Sequence, residues 1–221
     1  MEKLSDATGR LSIRTEIPFD YYLREAKGPP RELVVLLHGY SESGSRILHK
    51  LQDAVSADCA ILAPNGPFPL PERTEHGYKL GFAWYMYDPA SKEYFIDMRP
   101  GITFLQQGLS QLGFTSIPKR LIGFSQGGYL APIIAQSLLN VKQVIGIASE
   151  FLKDEMDPEI PFRVDGIFGE LDLVVTPAES EATHRCLTQA GVRGSFQIVP
   201  GLGHKIDGEV VKRVSELLKL N

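Results

Sequence analysis

Short unbroken apolar runs alternate along the chain with segments whose apolar positions recur every three or four residues. The runs fall at residues 33–37, 59–63, 120–124, 141–148, 164–168 and 195–199. Their length and β-branched content predict strands buried on both faces, as in a parallel sheet. Residues 11–22 alternate instead (Ile13, Thr15, Ile17, Phe19), with Pro18 interrupting. That pattern predicts an edge strand or hairpin, where a missing N–H is tolerated. Between the runs, residues 45–55 place Ile47, Leu48, Leu51 and Val55 on one helical face. Residues 101–112 do the same with Ile102, Leu105, Leu109 and Leu112. Residues 127–139 are almost wholly apolar. They predict a buried helix, bent at Pro132 where one backbone hydrogen bond is lost. Thr176-Pro177-Ala178-Glu179 predicts a capping box with proline at the first helical position. Asp207 is placed to cap a last helix carrying Val210, Val211, Val214, Leu217 and Leu218. Strands alternating with helices predict one α/β domain over residues 1–221, a mostly parallel central sheet with helices on both faces.

One stretch breaks the rhythm. Residues 66–96 show no period and contain Pro67, Pro69, Pro71, Gly77 and Gly81. They also concentrate aromatic residues: Phe68, Tyr78, Phe82, Trp84, Tyr85, Tyr87, Tyr94 and Phe95. Disordered segments are poor in aromatics. The expectation is an ordered but irregular excursion covering part of a pocket.

Composition narrows the class. With 43% hydrophobic and 23% charged residues, the 221-residue chain is ordinary for a globular protein. A formal charge of −4 and no Lys/Arg run argue against a nucleic-acid footprint. No apolar run approaches the ~20 residues of a membrane span. The polar segment 1–10 does not read as a signal peptide. Two cysteines, Cys59 and Cys186, are too few for a disulfide framework or a structural zinc site. Both are expected to be reduced thiols that pack. A cytoplasmic protein without stable membrane insertion is the expectation, as monomer or homodimer.

The chemistry centres on Gly123-Phe124-Ser125-Gln126-Gly127, a G-x-S-x-G pattern between an apolar strand and an apolar helix. Such a turn strains the nucleophile's backbone, so the residues two positions away on either side must be small. It presents the hydroxyl at a helix N-terminus, where N–H groups and the dipole favour a developing oxyanion. A serine hydroxyl needs a base. Of five histidines, His49 and His184 fall in predicted helices and are expected at the surface. His76 lies in the excursion. His38 ends the strand at 33–37, where it can shape an oxyanion loop. His204 follows the last strand, at the sheet edge where α/β sites form, and is the expected base. Its carboxylate partner should follow a strand end too. Asp172 does, with Glu170 as competitor. Asp165 starts its strand, at the wrong edge, and Asp154 and Asp157 read as solvated. The order Ser125, Asp172, His204 is that of α/β-hydrolases. The backbone N–H groups of Gln126 and of Tyr40 are the expected oxyanion donors.

At these residues the sequence resembles the phospholipase/carboxylesterase family of α/β-hydrolases. The similar blocks are Leu37-His38-Gly39-Tyr40-Ser41-Glu42-Ser43-Gly44, Gly123-Phe124-Ser125-Gln126-Gly127-Gly128, Gly169-Glu170-Leu171-Asp172-Leu173-Val174-Val175 and Pro200-Gly201-Leu202-Gly203-His204. Ala63-Pro64 and Ala83-Trp84-Tyr85 are weaker matches. The sequence departs from the family's pattern at Trp84-Tyr85-Met86-Tyr87-Asp88, which delays an aspartate by two residues, and at Leu173, Thr176 and Pro132. The residues and the resemblance together imply the α/β-hydrolase fold and a serine carboxylic-ester hydrolase needing no cofactor and no metal. Short to medium acyl esters are the expected substrates, with Trp84 and Phe151 contacting them. Two alternatives stand beside it. One is a thioesterase or lysophospholipase for longer acyl chains. The other is a non-catalytic binding protein on a hydrolase scaffold.

Overall fold

The computed structural model describes residues 15–157 and 159–220. Its elements are β1 (Tyr21–Arg24), β2 (Leu33–Leu37), α1 (Gly44–Leu51), β3 (Ala60–Pro64), β4 (Phe68–Thr74), β5 (Gly77–Ala83), β6 (Met86–Asp88), β7 (Glu93–Ile96), α2 (Arg99–Gln111), β8 (Lys119–Phe124), α3 (Gln126–Ala135), β9 (Val141–Ile147), β10 (Arg163–Gly169), α4 (Pro177–Gln189), β11 (Phe196–Val199) and α5 (Gly208–Leu217). Seven strands form one sheet in the order β1-β3-β2-β8-β9-β10-β11. Only β1 runs antiparallel, on the edge.

The core divides into two layers. Leu105 and Leu109 of α2, Leu130 and Ile134 of α3, and Leu187 of α4 pack with Leu33, Val35 and Leu121. Ile47 and Leu51 of α1 and Val210, Val214 and Leu217 of α5 pack with Val34, Leu36, Ile122 and Ile145. Alternate residues of β2 thus feed opposite layers, as the two-residue period of a strand requires. The mostly parallel sheet with helices on both faces is as the apolar runs imply.

Several local expectations are corrected. Residues 11–14 lie outside the described residues, and 15–20 form no strand. The edge strand starts later, with Tyr21 opposite Pro64. Residues 66–96 are not irregular. They form two hairpins, β4 with β5 and β6 with β7. Most of β4 and β5 is exposed on both faces, so no buried/exposed alternation marks them. Pro69 and Pro71 share one parity in β4, which puts both missing N–H groups on the same, unpaired edge. The helix expected to reach 139 ends at Ala135, having passed through Pro132. Thr176 holds the N-cap position of α4, with Pro177 first in the helix, but makes no capping bond to a backbone N–H; its hydroxyl donates to the Glu179 carboxylate instead. Asp207 does cap α5, its Oδ1 accepting from Glu209 N–H at 3.1 Å and Val210 N–H at 3.2 Å. His184 is buried, its Nε2–H donating to Val164 O at 2.9 Å. Cys59 is buried but Cys186 is exposed, so only one thiol packs.

A buried polar chain crosses the starting edge of the sheet. Glu32 pairs with Arg120, Arg120 donates to Gln143, and Gln143 and Arg163 both donate to Asp165. Burial pushes the Asp165 carboxyl up, but donors from Arg163, Gln143 and Ser195 outweigh it and hold it below the usual range. The opposite edge, where the strands end, is left for chemistry.

Candidate active site

Ser125 stands between β8 and α3 with φ 48° and ψ −119°. A non-glycine residue at positive φ costs about 1–3 kcal/mol, which the surroundings must impose. They do so through close packing. A Cβ on Gly123 would lie 2.2 Å from Gly127 O, and one on Gly127 would lie 2.2 Å from Leu37 O. Neither position admits a side chain. Ser125 N–H donates to Ile147 O at 2.9 Å, which locks the turn to β9.

His204 comes from the loop after β11, and Asp172 from the loop after β10. His204 Nε2 lies 3.0 Å from Ser125 Oγ, and His204 Nδ1 lies 2.8 Å from Asp172 Oδ2. An ionised carboxylate only accepts, so Nδ1 carries the proton and Nε2 is left to accept from the serine hydroxyl. The other carboxylate oxygen of Asp172 accepts from Val174 N–H and Val175 N–H, both at 2.9 Å. Its side chain is buried, whereas the imidazole is partly open. The His204 ring rests on Phe124, with centroids 5.1 Å apart. Glu170, the competing acid, points elsewhere and accepts from Gly201 N–H at 2.9 Å.

The residues expected to supply the oxyanion donors lie near this serine. Gln126 N–H opens α3, and Tyr40 N–H follows Gly39, whose α-carbon would aim a Cβ to within 3.4 Å of Ser125 Cβ. Among the described residues no acceptor pairs with either N–H. His38 is wholly buried and holds this loop. Its Nδ1–H donates to Gly39 O at 2.7 Å, and its Nε2 accepts from Gly66 N–H at 2.9 Å. Burial pushes the His38 imidazole down to about 4, so it stays neutral near pH 7. Glu42 braces the same loop, accepting from Gly39 N–H at 3.4 Å and pairing with Lys50 at 2.9 Å.

These blocks occur within a longer match. The family model for phospholipase/carboxylesterase matches residues 22–221. The chain belongs to the phospholipase/carboxylesterase family.

Solved structures agree with the family's α/β-hydrolase fold. The chain is similar to esterase PE8, at 25% identity and TM-score 0.72, over 92% of this chain and 99% of that one. Two others share the fold at lower identity. A carboxylesterase from Mesorhizobium loti is 20% identical, with TM-score 0.69, covering 94% of this chain and 97% of that one. Acyl-protein thioesterase 2 of Zea mays is 19% identical, with TM-score 0.68, covering 90% and 97%. No curated protein matches the sequence.

Against this phospholipase/carboxylesterase frame, two expected substrate contacts are misplaced. Trp84 and Phe151 are wholly buried. Phe151 packs against Phe168 and His184, inside the core. Trp84 donates its indole N–H to His38 O at 3.0 Å. Neither presents a face to solvent; large aromatics in a core-forming chain carry no sequence mark that separates the two fates. Sequence reasoning also missed the Gln126 side chain, treated only as the owner of a backbone N–H. Exposed apolar groups do border the site: the aliphatic Leu171, Leu173 and Val174 beside Asp172, joined by the aromatic Tyr40 after Gly39. Further out, Tyr129 lies one helical turn from Ser125. Burial, then the Glu150 carboxylate, pushes its hydroxyl up to about 12. Among the described residues no group of three His, Cys, Asp or Glu side chains could hold a metal ion. No helix among them is long and apolar enough to cross a membrane.

Proposed function

We propose that this protein is a serine carboxylic-ester hydrolase working through an acyl-enzyme. The observation that carries the reading is the continuous hydrogen-bonded line from Ser125 Oγ through His204 to Asp172. His204 Nε2 takes the serine proton as Oγ attacks the acyl carbonyl. The developing oxyanion accepts from Gln126 N–H and Tyr40 N–H. Asp172 holds the imidazole in the tautomer that accepts and stabilises the imidazolium that forms. His204 then gives its proton to the leaving alcohol, the C–O bond breaks, and the acyl group remains on Ser125. Water repeats the steps and releases the acid. Membership of the phospholipase/carboxylesterase family supports the ester-hydrolase class.

Short to medium acyl esters are the proposed substrates. A longer acyl chain, on a thioester or lysophospholipid, is the second reading. It is supported by the exposed aliphatic rim of Leu171, Leu173 and Val174. Two free cysteines suit a reducing, cytoplasmic setting. The test is hydrolysis of p-nitrophenyl esters from acetate to palmitate by wild type and Ser125→Ala. Rates highest on short esters and abolished by Ser125→Ala support the proposal. A maximum at palmitate moves the assignment to the second reading. Equal rates in the two proteins overturn the serine mechanism.

A further inference from the structure

The two oxyanion donors come from segments far apart in the chain, the loop after β2 and the start of α3. What holds them in register is a question of peptide orientation. In a trans peptide the C=O and N–H point in opposite directions. Pinning the carbonyl on one side therefore aims the N–H on the other. Gly39 O is pinned by His38 Nδ1–H at 2.7 Å and Glu42 N–H at 3.1 Å, which sets the direction of Tyr40 N–H. Ser125 O is pinned by Gly128 N–H at 2.8 Å and Tyr129 N–H at 3.1 Å, which sets the direction of Gln126 N–H.

One residue reaches both halves. Trp84 sends its indole N–H to His38 O at 3.0 Å, one peptide before Gly39. Its backbone N–H goes to Gln126 Oε1 at 2.9 Å. The same carboxamide returns Nε2–H to Tyr85 O at 3.0 Å, so the Gln126 side chain pairs with the Trp84-Tyr85 backbone as a neighbouring strand would. The whole bridge is buried: Trp84, Gln126, Tyr85 and His38 all lie inside the protein. The Trp84 indole also lies against the His38 ring, with centroids 5.1 Å apart. Buried hydrogen bonds are expensive to leave unmade, so this bridge has one arrangement rather than many.

We infer that Trp84 is a positioning residue of the oxyanion hole, its two N–H groups tying the His38–Gly39 peptide, next to the Gly39–Tyr40 peptide, to the side chain of Gln126. It touches no substrate. Its role is to keep two donors at one spacing while the oxyanion forms, which is where preorganisation acts on rate rather than on binding. The inference rests on the serine-hydrolase reading above.

The test compares wild type with Trp84→Phe and with 3-benzothienylalanine placed at position 84. The second keeps the shape of the indole and lacks only its N–H, so it remains informative where Trp84→Phe does not fold. The readouts are kcat and KM on p-nitrophenyl butyrate, and Ki for a trifluoromethyl ketone whose hemiketal oxyanion mimics the transition state. The expected result is a kcat lower by about 10- to 100-fold with KM little changed, because misplaced groups cost rate rather than binding. Ki should rise by the same factor as kcat/KM falls, and the pH profile should keep its shape. Two results overturn the inference. One is a benzothienyl protein with wild-type kcat and Ki. The other is a loss confined to KM, which marks a substrate contact. A wild-type protein that hydrolyses no ester overturns the serine-hydrolase reading instead, a distinguishable outcome.

Discussion

The Nδ1 atom of His204 lies 2.8 Å from Asp172 Oδ2, while Asp172 Oδ1 is held by two backbone N–H groups. The carboxylate is therefore fixed before it touches the imidazole. An Asn at position 172 keeps the shape. Its oxygen would stay with Val174 N–H and Val175 N–H, turning the amide NH2 towards His204. The imidazole would then have to accept at Nδ1 and carry its proton on Nε2, the wrong tautomer for a base. Asp172→Asn should reduce kcat by about 10³- to 10⁴-fold with an unchanged melting temperature. Ester hydrolysis and a thermal melt on the same preparation check it.

The turn around Ser125 predicts a steric result. A Cβ on Gly127 meets Leu37 O at 2.2 Å, a backbone atom of a central strand that cannot swing aside. Gly127→Ala should cost at least about 3 kcal/mol, the upper part of the overpacking range. Urea unfolding measures it. Labelling by a fluorophosphonate probe should fall in whatever folded protein remains.

His38 links stability to pH. Its imidazole is pushed from an ordinary value near 6.5 down to about 4 by burial, with its hydrogen bond to Gly39 and the charge of Glu42 offsetting part of the effect. Between those values the unfolded chain binds a proton that the folded one refuses. The contribution is complete above pH 6.5 and is lost as pH falls towards 4, by about 3 kcal/mol in all. Burial lowers His184 too, adding to the same trend. Urea midpoints across this range should fall with acid. His38→Gln should flatten the curve, and an equally steep curve in that variant would assign the effect to other groups.

Stability and chemistry should separate across the sheet. Arg120 sits at the start of β8, five positions before Ser125, and its guanidinium pairs with Glu32 at 3.2 Å and reaches Leu220 O at 3.2 Å. Arg120→Met leaves Glu32, buried, with the more exposed Arg31 and Lys142 as its cationic partners among the described residues. It should destabilise the fold by about 3 kcal/mol, as breaking a buried pair does. The kcat/KM of folded enzyme should match wild type. Denaturant curves and kinetics on one sample decide it.

The cysteines give a direct check on burial. In the native protein DTNB should titrate one thiol quickly, that of the exposed Cys186. Cys59 is enclosed, and burial pushes its thiol up, away from the reactive thiolate. A second equivalent should appear only in denaturant.

The sequence carried the features that depend on neighbours along the chain. Unbroken apolar runs marked strands such as β2 and β8, because a strand buried on both faces tolerates nothing else. The serine turn was legible because its strain demands glycine at fixed offsets. Its partners were legible because chain order and strand ends narrowed the candidates. The hairpin β4–β5 was not, because strands lacking a buried face have no alternation to read. Trp84 was misread for a different reason. Its bonds run to His38 and Gln126, 46 and 42 positions away, and leave no periodic trace. Whether a tryptophan faces a ligand or bridges a backbone carbonyl and a side-chain amide depends on which polar atoms the tertiary fold brings within 3 Å of it, and only the folded chain decides that.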